Sequence, residues 1–527
     1  MSHAPGSTSR SKAAQPTYNP QRPAAIAVGY EHVRSSDAPR ASAEGMPAGQ
    51  FSKDPVVDKA LRHSVRDGMA FSVQVGAGET YFSAFALFLK ATAPQVALIS
   101  TLPLLLASSA QIFSAWIGSY VGRRRVVILG CALQTLLWLP ILLVPVLFTD
   151  HAITALLVLI ALYHSANNLA APQWTSIMRD LVDERRRGRY FAYRTRLTTI
   201  ATFVSLVACG VILHELDTAG RTYLGFVVIF LIAFVARTVS VYHLTFLHEP
   251  TPTTTPPDMH IEHWWRSLLS TGAIGFSTYV ALMNAAVGIS SPFFTVYMLR
   301  DLTLSYFEFT VLTGTSVLVQ FLMLTTWGRI ADVYGNRLIL IVTSIALPIV
   351  PAIWLTSDNF WALLVFQALS GLSWSGFTLS AGNLLYELVP QTRRAAYVAF
   401  HNVGTAAGVF GGAMLGALLA GLLPPRGVLF GESSTQSSLL YLFIISGIAR
   451  AIVAVLLARR VRELRRPRKT MSAQALVLRV TGLNAMVGFI YDFIGRPAVD
   501  ADEKEPVGVS PPANTHAPAT KNGDNDA

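Results

Sequence analysis

Apolar residues in this chain come in runs of about 20, the length that crosses a hydrocarbon core as a helix, with most polar residues in the short gaps between runs. One set of runs lies near 68–90, 94–117, 126–148, 152–177, 191–214 and 223–246. A second lies near 270–298, 304–327, 338–356, 359–386, 396–422 and 438–459. Backbone groups in lipid must bond within their own segment, so the pattern predicts helices rather than strands. The expected fold class is an all-α membrane protein of twelve transmembrane helices in two pseudo-symmetric six-helix bundles.

The gaps set the organisation. Residues 1–66, rich in Ser, Ala, Pro and Gly in their first 55 and lacking the apolar core of a signal peptide, are expected to form a disordered cytoplasmic tail. The first bundle is assigned to 67–248 and the second to 269–460. Between them, 249–268 forms a cytoplasmic linker whose prolines and threonines exclude a regular helix. Beyond, 461–527 comprises a basic segment, a moderately apolar stretch and a polar, acidic tail. Within the stretch 473–494, Arg479, Asn484 and Asp492 favour a helix lying in the interface over a thirteenth span.

Composition agrees with the pattern. Only 13% of residues are charged, where a soluble domain carries about 25%. The net charge of +11 raises nucleic acid as a partner, but the basic clusters recur where alternate runs end, which is a membrane-topology signal. No nucleic-acid partner is expected. Arg123 to Arg125, the arginines of 179–196, Arg266, Arg329, Arg337, Arg393 and Arg394 fall in even-numbered loops. The odd-numbered loops hold Lys90, Arg221, Arg300 and Arg426. Both termini are therefore expected in the cytoplasm, with the chain in the inner (plasma) membrane. Cys131 and Cys209 lie inside apolar runs and read as small hydrophobes.

The two halves repeat one another. Asp180 to Ala192, with Arg187 inside it, matches Glu387 to Ala399, with Arg394 inside it, at an offset of 207. Arg237 matches Arg450 at 213, and the loop from Gly118 through Gly122, Arg123 and Arg124 matches Ala331 to Arg337 at the same offset. Six spans are an even number, so both halves enter the membrane in the same sense.

The loop GRIADVYGNR, with Gly328, Arg329, Asp332, Gly335 and Arg337, resembles the signature that follows the second span of a half in the major facilitator superfamily. The resemblance covers roughly 67–460. It implies a two-bundle transporter, of bacterial type, in which this Asp and Arg help lock the cytoplasmic side. The first-half copy departs from the signature, since Ser119 stands where Asp is expected. The resemblance further implies that the first, fourth, seventh and tenth spans line a central cavity. The fifth span lacks the Gly-Pro signature associated with antiporters of the superfamily.

Ionisable and polar groups inside spans are the candidates for chemistry. Glu79 lies midway along the first span, where Ser72, Gly76, Glu79 and Ser83 would share one helical face. Desolvated, its carboxyl could take a proton or pair with a cationic substrate. His164, Asn167, Asn168 and Ala171 share a face of the fourth span, so His164 and Glu79 would approach across the bundle. The second half offers Asn284 on the seventh span and Trp374 on the tenth. A structural role competes in each case: a hydrogen bond for Glu79, a satisfied buried ring for His164, helix packing for Trp374. The repeated Arg237 and Arg450 read as structural. Gly404, Gly408, Gly412 and Gly416 form a packing ridge on the eleventh span.

No phosphate loop, metal set or Ser-His-Asp constellation is present, so neither an enzyme nor a cofactor or metal site is expected. The reading is a monomeric secondary transporter of a small organic solute in the lipid bilayer, alternating access and proton-coupled through Glu79. The alternatives are a transport-silent sensor that kept the fold, a multi-pass membrane enzyme, or a lipid-handling carrier.

Overall fold

A computed structural model describes residues 51–184, 186–249, 273–389, 394–424 and 437–457. The expected helix at 473–494, the linker past Glu249 and most of both tails lie outside these residues. All of the regular structure described is helical. The first half comprises α1 (Pro55–Ala77), α2 (Phe82–Phe88), α3 (Ala93–Val121), α4 (Arg123–Leu142), α5 (Val144–Leu147), α6 (Ala152–Leu181), α7 (Arg187–Thr218) and α8 (Thr222–Leu244). The second comprises α9 (Ala273–Gly288), α10 (Ser291–Val296), α11 (Tyr306–Tyr334), α12 (Asn336–Ala346), α13 (Ile349–Ile353), α14 (Phe360–Leu388), α15 (Arg394–Leu422) and α16 (Leu439–Leu457).

Among the described residues, 11 helical segments are long and apolar enough to cross a membrane. The first span completes the twelve in a different form. It is broken: α1 ends at Ala77, a 3₁₀ turn covers Glu79–Tyr81, and α2 follows. The break falls where α1 approaches α4 so closely that a Cβ on Gly78 would lie 2.2 Å from the Trp138 ring. It also starts earlier than the apolar run. Residues 55–66, expected as part of a disordered tail, are helical, because Asp54 Oδ1 caps the Val56 N–H at 2.8 Å and Pro55 suits the first turn. Asp58 ties this end down by accepting from the Phe51 N–H at 2.6 Å and from Arg62 Nε at 2.8 Å.

Within the first bundle α6 packs on α3 and α4, and α1 packs on α7 and α8. Within the second, α15 packs on α9, and α14 on α11 and α12. Gly408, Gly412 and Gly416 of α15 lie against the carbonyls of Ala281, Ala285 and Ile289, so the ridge serves the contact between α9 and α15. Gly404 faces open space.

The repeat extends into backbone geometry. Gly122 and Gly335, 213 residues apart, end α3 and α11 with φ of 94° and 88°. Lys90 and Thr303, also 213 apart, are the non-glycine residues with positive φ among those described, at 63° and 50°. Matching strained turns at unlike residues mark a duplicated backbone path.

The bundles meet along α3–α15 and α7–α11. At the end bearing Lys90, Arg221 and Arg300, one apolar cluster joins both halves, uniting Phe85, Phe226 and Phe230 with Phe293, Tyr297 and Phe309. At the arginine-rich end the buried clusters stay separate. One holds Val127, Ile177 and Leu244 of the first half; the others hold residues such as Tyr279, Leu384, Trp327 and Ile339 of the second. Buried apolar packing therefore joins the bundles at one end only, while toward the arginine-rich end they touch through Asn402 Nδ2, which donates to Gln111 Oε1 at 3.3 Å.

Candidate functional site

The break in the first span positions Glu79. Tyr163 of α6 donates its hydroxyl to Glu79 Oε1 at 2.8 Å, and Gln74 Nε2 of α1 donates to the same oxygen at 3.0 Å. Gln74 also contacts the Tyr163 hydroxyl. Both partners are fully buried, whereas Glu79 is half-buried, and Oε2 accepts no hydrogen bond among the described residues. Aromatic rings wall this carboxylate: Trp138 lies 5.2 Å from Tyr163, and Phe82 lies 5.5 Å from it. A carboxyl with one oxygen anchored and the other free can take up a proton without breaking its anchor.

The expected shared face of Ser72, Gly76, Glu79 and Ser83 does not survive the break. Gly76 packs on Ser205 and Thr202 of α7, Glu79 turns to α6, and Ser83 Oγ lies 3.2 Å from Ser100 Oγ of α3. His164 stands beside Tyr163, with ring centroids 5.2 Å apart, and lies within electrostatic reach of Glu79. The direct hydrogen bond to Glu79 comes from Tyr163, the residue before His164.

Below Glu79 lies a second polar group. Asp67 of α1 is 4% exposed; its Oδ1 accepts from Ser240 Oγ of α8 at 2.6 Å, and Oδ2 lies 3.7 Å from Arg194 Nη2 of α7. Arg237, 2% exposed, donates to Ser240 Oγ at 2.9 Å and to Asn167 Oδ1 at 3.4 Å, and stacks on Phe71 at 4.6 Å. Sequence reasoning missed Asp67 because the apolar run was started at residue 68. The signal was present upstream: Asp54 and Pro55 are a helix start, which places Asp67 well inside α1.

In the second half, Asn284 Nδ2 donates to Val280 O of its own helix at 2.9 Å, and the Trp374 ring lies 5.7 Å from Phe377. Both are half-buried, and among the described residues neither shares a hydrogen bond or ring contact with Glu79.

The two loop motifs come together within each half. Arg123 Nη1 donates to Asp180 Oδ2 at 2.7 Å and to Ser176 Oγ at 3.1 Å, while Nε reaches Glu249 Oε1 at 3.1 Å. In the second half Asn336 stands at the Arg123 position, 213 on. Its Nδ2 donates to Glu387 Oε1 at 3.0 Å, and its Oδ1 accepts from Asn383 at 3.0 Å. Glu387 and Asn383 sit 207 after Asp180 and Ser176, so one docking geometry occurs twice, charged in the first half and half-neutral in the second. The Arg124 N–H donates to Glu249 Oε2 at 3.2 Å, and its guanidinium to the Thr245 carbonyl. Arg187 caps the Arg179 carbonyl at 3.1 Å. Gly118 gives room for the Gln173 side chain, while Gly328 faces open space. Arg329, Asp332 and Arg337 are exposed at the arginine-rich end, and Asp332 makes no ion pair among the described residues. Arg394 begins α15.

Known proteins resemble the chain at the level of sequence and fold. A family model described as Major Facilitator Superfamily matches residues 69–286 and again 274–499, one match per half. The multidrug resistance protein MdtG of Proteus mirabilis is 26% identical over 153 residues, 28% of this chain and 38% of that protein. MdtG of Salmonella paratyphi C is 27% identical over 179 residues, 33% of this chain and 43% of its own length. The chain thus spans about two fifths of the length of these curated relatives. Among solved structures, a D-xylose-proton symporter aligns with a TM-score of 0.59 at 12% identity, over 79% of this chain and 99% of that one. A mutant of the nucleoside transporter NupG aligns at 0.58 and 11% identity, over 77% and 100%. At such identities these structures speak for the fold. With both halves matched by the family model and the duplicated twelve-span architecture in place, the chain belongs to the major facilitator superfamily.

Proposed function

We propose that the chain is a secondary transporter of small organic solutes in the inner membrane, alternating access between its bundles and coupled to protons through Glu79. The observation that carries this reading is the anchoring of Glu79 Oε1 by Tyr163 and Gln74 while Oε2 stays free. Tyr163 and Gln74 both donate to Oε1, so both anchors persist whether or not Oε2 carries a proton. A cationic, flat solute suits the surrounding rings. The relatives' name, multidrug resistance protein, agrees with such a solute. The seal at one end only supports a rocking cycle in which the arginine-rich, cytoplasmic side is the open one.

Flux of ethidium in proteoliposomes under an imposed pH gradient tests this. Glu79→Gln is expected to abolish gradient-driven flux while leaving exchange at equal pH in place. Gradient-driven flux that survives Glu79→Gln removes the coupling assignment, and absence of any flux in the unmodified chain favours a transport-silent sensor.

A further inference from the structure

Asp67 is a buried carboxylate of the first span that the proposed chemistry at Glu79 does not use. Asp67 and Glu79 are twelve residues apart on the first span, roughly 18 Å along a helix. Asp67 sits toward the arginine-rich end. The groups facing it come from three directions: Arg194 and Tyr190 from α7, Arg237, Ser240 and His243 from α8, and Cys131 from α4. Packing holds Arg194 toward it. Its guanidinium stacks on Trp174 at 4.4 Å, donates to Ser64 O at 3.2 Å, and crosses Gly68, where a Cβ would lie 2.6 Å from Nη2.

A structural ion pair is the competing explanation, since buried arginines need acceptors. The internal repeat supplies the control. Arg450 occupies the Arg237 position of the second half and is also 2% exposed. It is satisfied by neutral acceptors: Ser446 Oγ at 3.1 Å, Leu347 O at 3.1 Å and Ser290 Oγ at 2.8 Å. At offsets of 207 and 213 from Asp67 stand Ile274 and Val280, so no carboxylate is repeated there. The scaffold therefore holds the Arg237-type arginine without an acid, and the Arg194 position is His401 in the second half, so Asp67 and its facing cation occur together in the first bundle alone. The acid in the first bundle is an addition, set where an ionisable group is costly.

We propose that Asp67 is a second proton-exchanging carboxyl of the first bundle, loaded and unloaded from the arginine-rich side. The proposal deepens, and rests on, the proton-coupled reading above. Oδ1 keeps its short bond from Ser240 throughout. The proton arrives from water and bonds to Oδ2, which is held by a 3.7 Å ion pair with no hydrogen bond among the described residues. Arg194 is then released from its counter-charge but keeps Ser64 O and Trp174. On deprotonation the proton returns to water and Arg194 closes again on Oδ2. Two carboxyls at different depths give the transporter one proton site near its solute and one near the open side.

The test uses the full chain in lipid and needs no solute. Infrared difference spectra across a pH titration read the C=O stretch of protonated carboxyls, and a pH-jump with an indicator dye counts protons taken up per chain. Asp67→Asn is expected to remove one carboxyl component and one proton per chain; Glu79→Gln is expected to remove a different component and another proton. Retention of the full band and proton count in Asp67→Asn overturns the proposal and leaves Asp67 a structural ion-pair partner. An unchanged spectrum in Glu79→Gln removes the Glu79 reading, and the Asp67 component is then judged by its own variant. Should Asp67→Asn fail to fold, Arg194→Gln decides. Losing the facing cation makes the protonated band persist to higher pH, and a band unmoved by Arg194→Gln overturns the proposal.

Discussion

Tyr81 and Thr310 touch across the two bundles: their hydroxyl oxygens are 3.1 Å apart, and the Tyr81 hydroxyl also donates to the Leu206 carbonyl at 2.8 Å. Tyr81 lies two residues after Glu79 in the same 3₁₀ turn, and is fully buried. One short turn thus carries both the candidate proton site and a polar contact of the seal. Gly210 fits the contact closely, since a Cβ there would lie 2.4 Å from the Thr310 side chain.

Tyr81→Phe keeps the ring and removes the hydroxyl. The lost bond to Thr310 is worth about 1 kcal/mol net, a roughly fivefold shift in a two-state balance. The bond to Leu206 lies within the first bundle and is lost in both states. The expected outcome is a larger population open at the sealed end. Spin-label distances between α2 and α10 check it, and a distribution identical to that of the unmodified chain refutes the role of this contact in the seal.

Much of this architecture was legible because it rests on periodic apolar length and on charge in loops, both of which lipid imposes strongly. The duplicated loops were legible too, since Gly122 and Gly335 occupy a left-handed turn that few other residues adopt. The break at Gly78 was not. It coincides with the approach of Trp138 from another helix, a tertiary contact that local sequence does not encode. For the same reason Tyr163 and Gln74 escaped notice as partners of Glu79. Asp67 was hidden by a boundary rule: an Arg-Asp pair flanking an apolar run looks like the edge of a span, yet the helix continues past it to Pro55.

The glycines of α15 differ sharply in what they tolerate. A Cβ at Gly412 would lie 1.9 Å from the Ala285 carbonyl oxygen, backbone that cannot step aside without parting α9 from α15. Gly412→Ala is expected to cost about 1–3 kcal/mol by overpacking. Gly404→Ala, in open space, is expected to be neutral or to stabilise by up to about 1 kcal/mol. Thermal unfolding of the two variants in matched detergent checks the contrast, and equal midpoints refute it.

Arg123 and Asn336 occupy equivalent docking positions with unequal charge. Arg123 is a partly buried cation against Asp180 and Glu249, while Asn336 makes an amide contact with Glu387. Arg123→Ala leaves both acids without this partner and is expected to lower stability by about 1.5–3 kcal/mol. The double exchange Arg123→Asp with Asp180→Arg is expected to recover only part of this, because Glu249 then faces an aspartate. Unfolding midpoints of Arg123→Asp, Asp180→Arg and the double exchange measure the coupling; additive losses mean that the pair contributes nothing specific.

At the arginine-rich end His63 of α1 meets His243 of α8, with ring Nδ1 atoms 3.0 Å apart. His63 lies ahead of the apolar run that starts at residue 68, with Phe246 stacked on it at 4.3 Å. Desolvation, then the charges of His243, Arg66 and Lys59, hold its imidazole below the usual histidine range. A base whose folded value is depressed binds its proton less readily in the folded chain than in the unfolded one. Its contribution is therefore intact above about pH 6.5 and is lost as pH falls from there towards the depressed folded value. Protonating both rings would also place two more positive charges beside Lys59 and Arg66, parting α1 from α8. Stability in detergent is expected to fall between pH 7 and pH 5, and His63→Gln, which keeps a neutral hydrogen-bonding side chain, is expected to flatten part of that slope. Midpoints recorded across this range decide the matter: an undiminished slope in His63→Gln assigns the acid sensitivity to other groups.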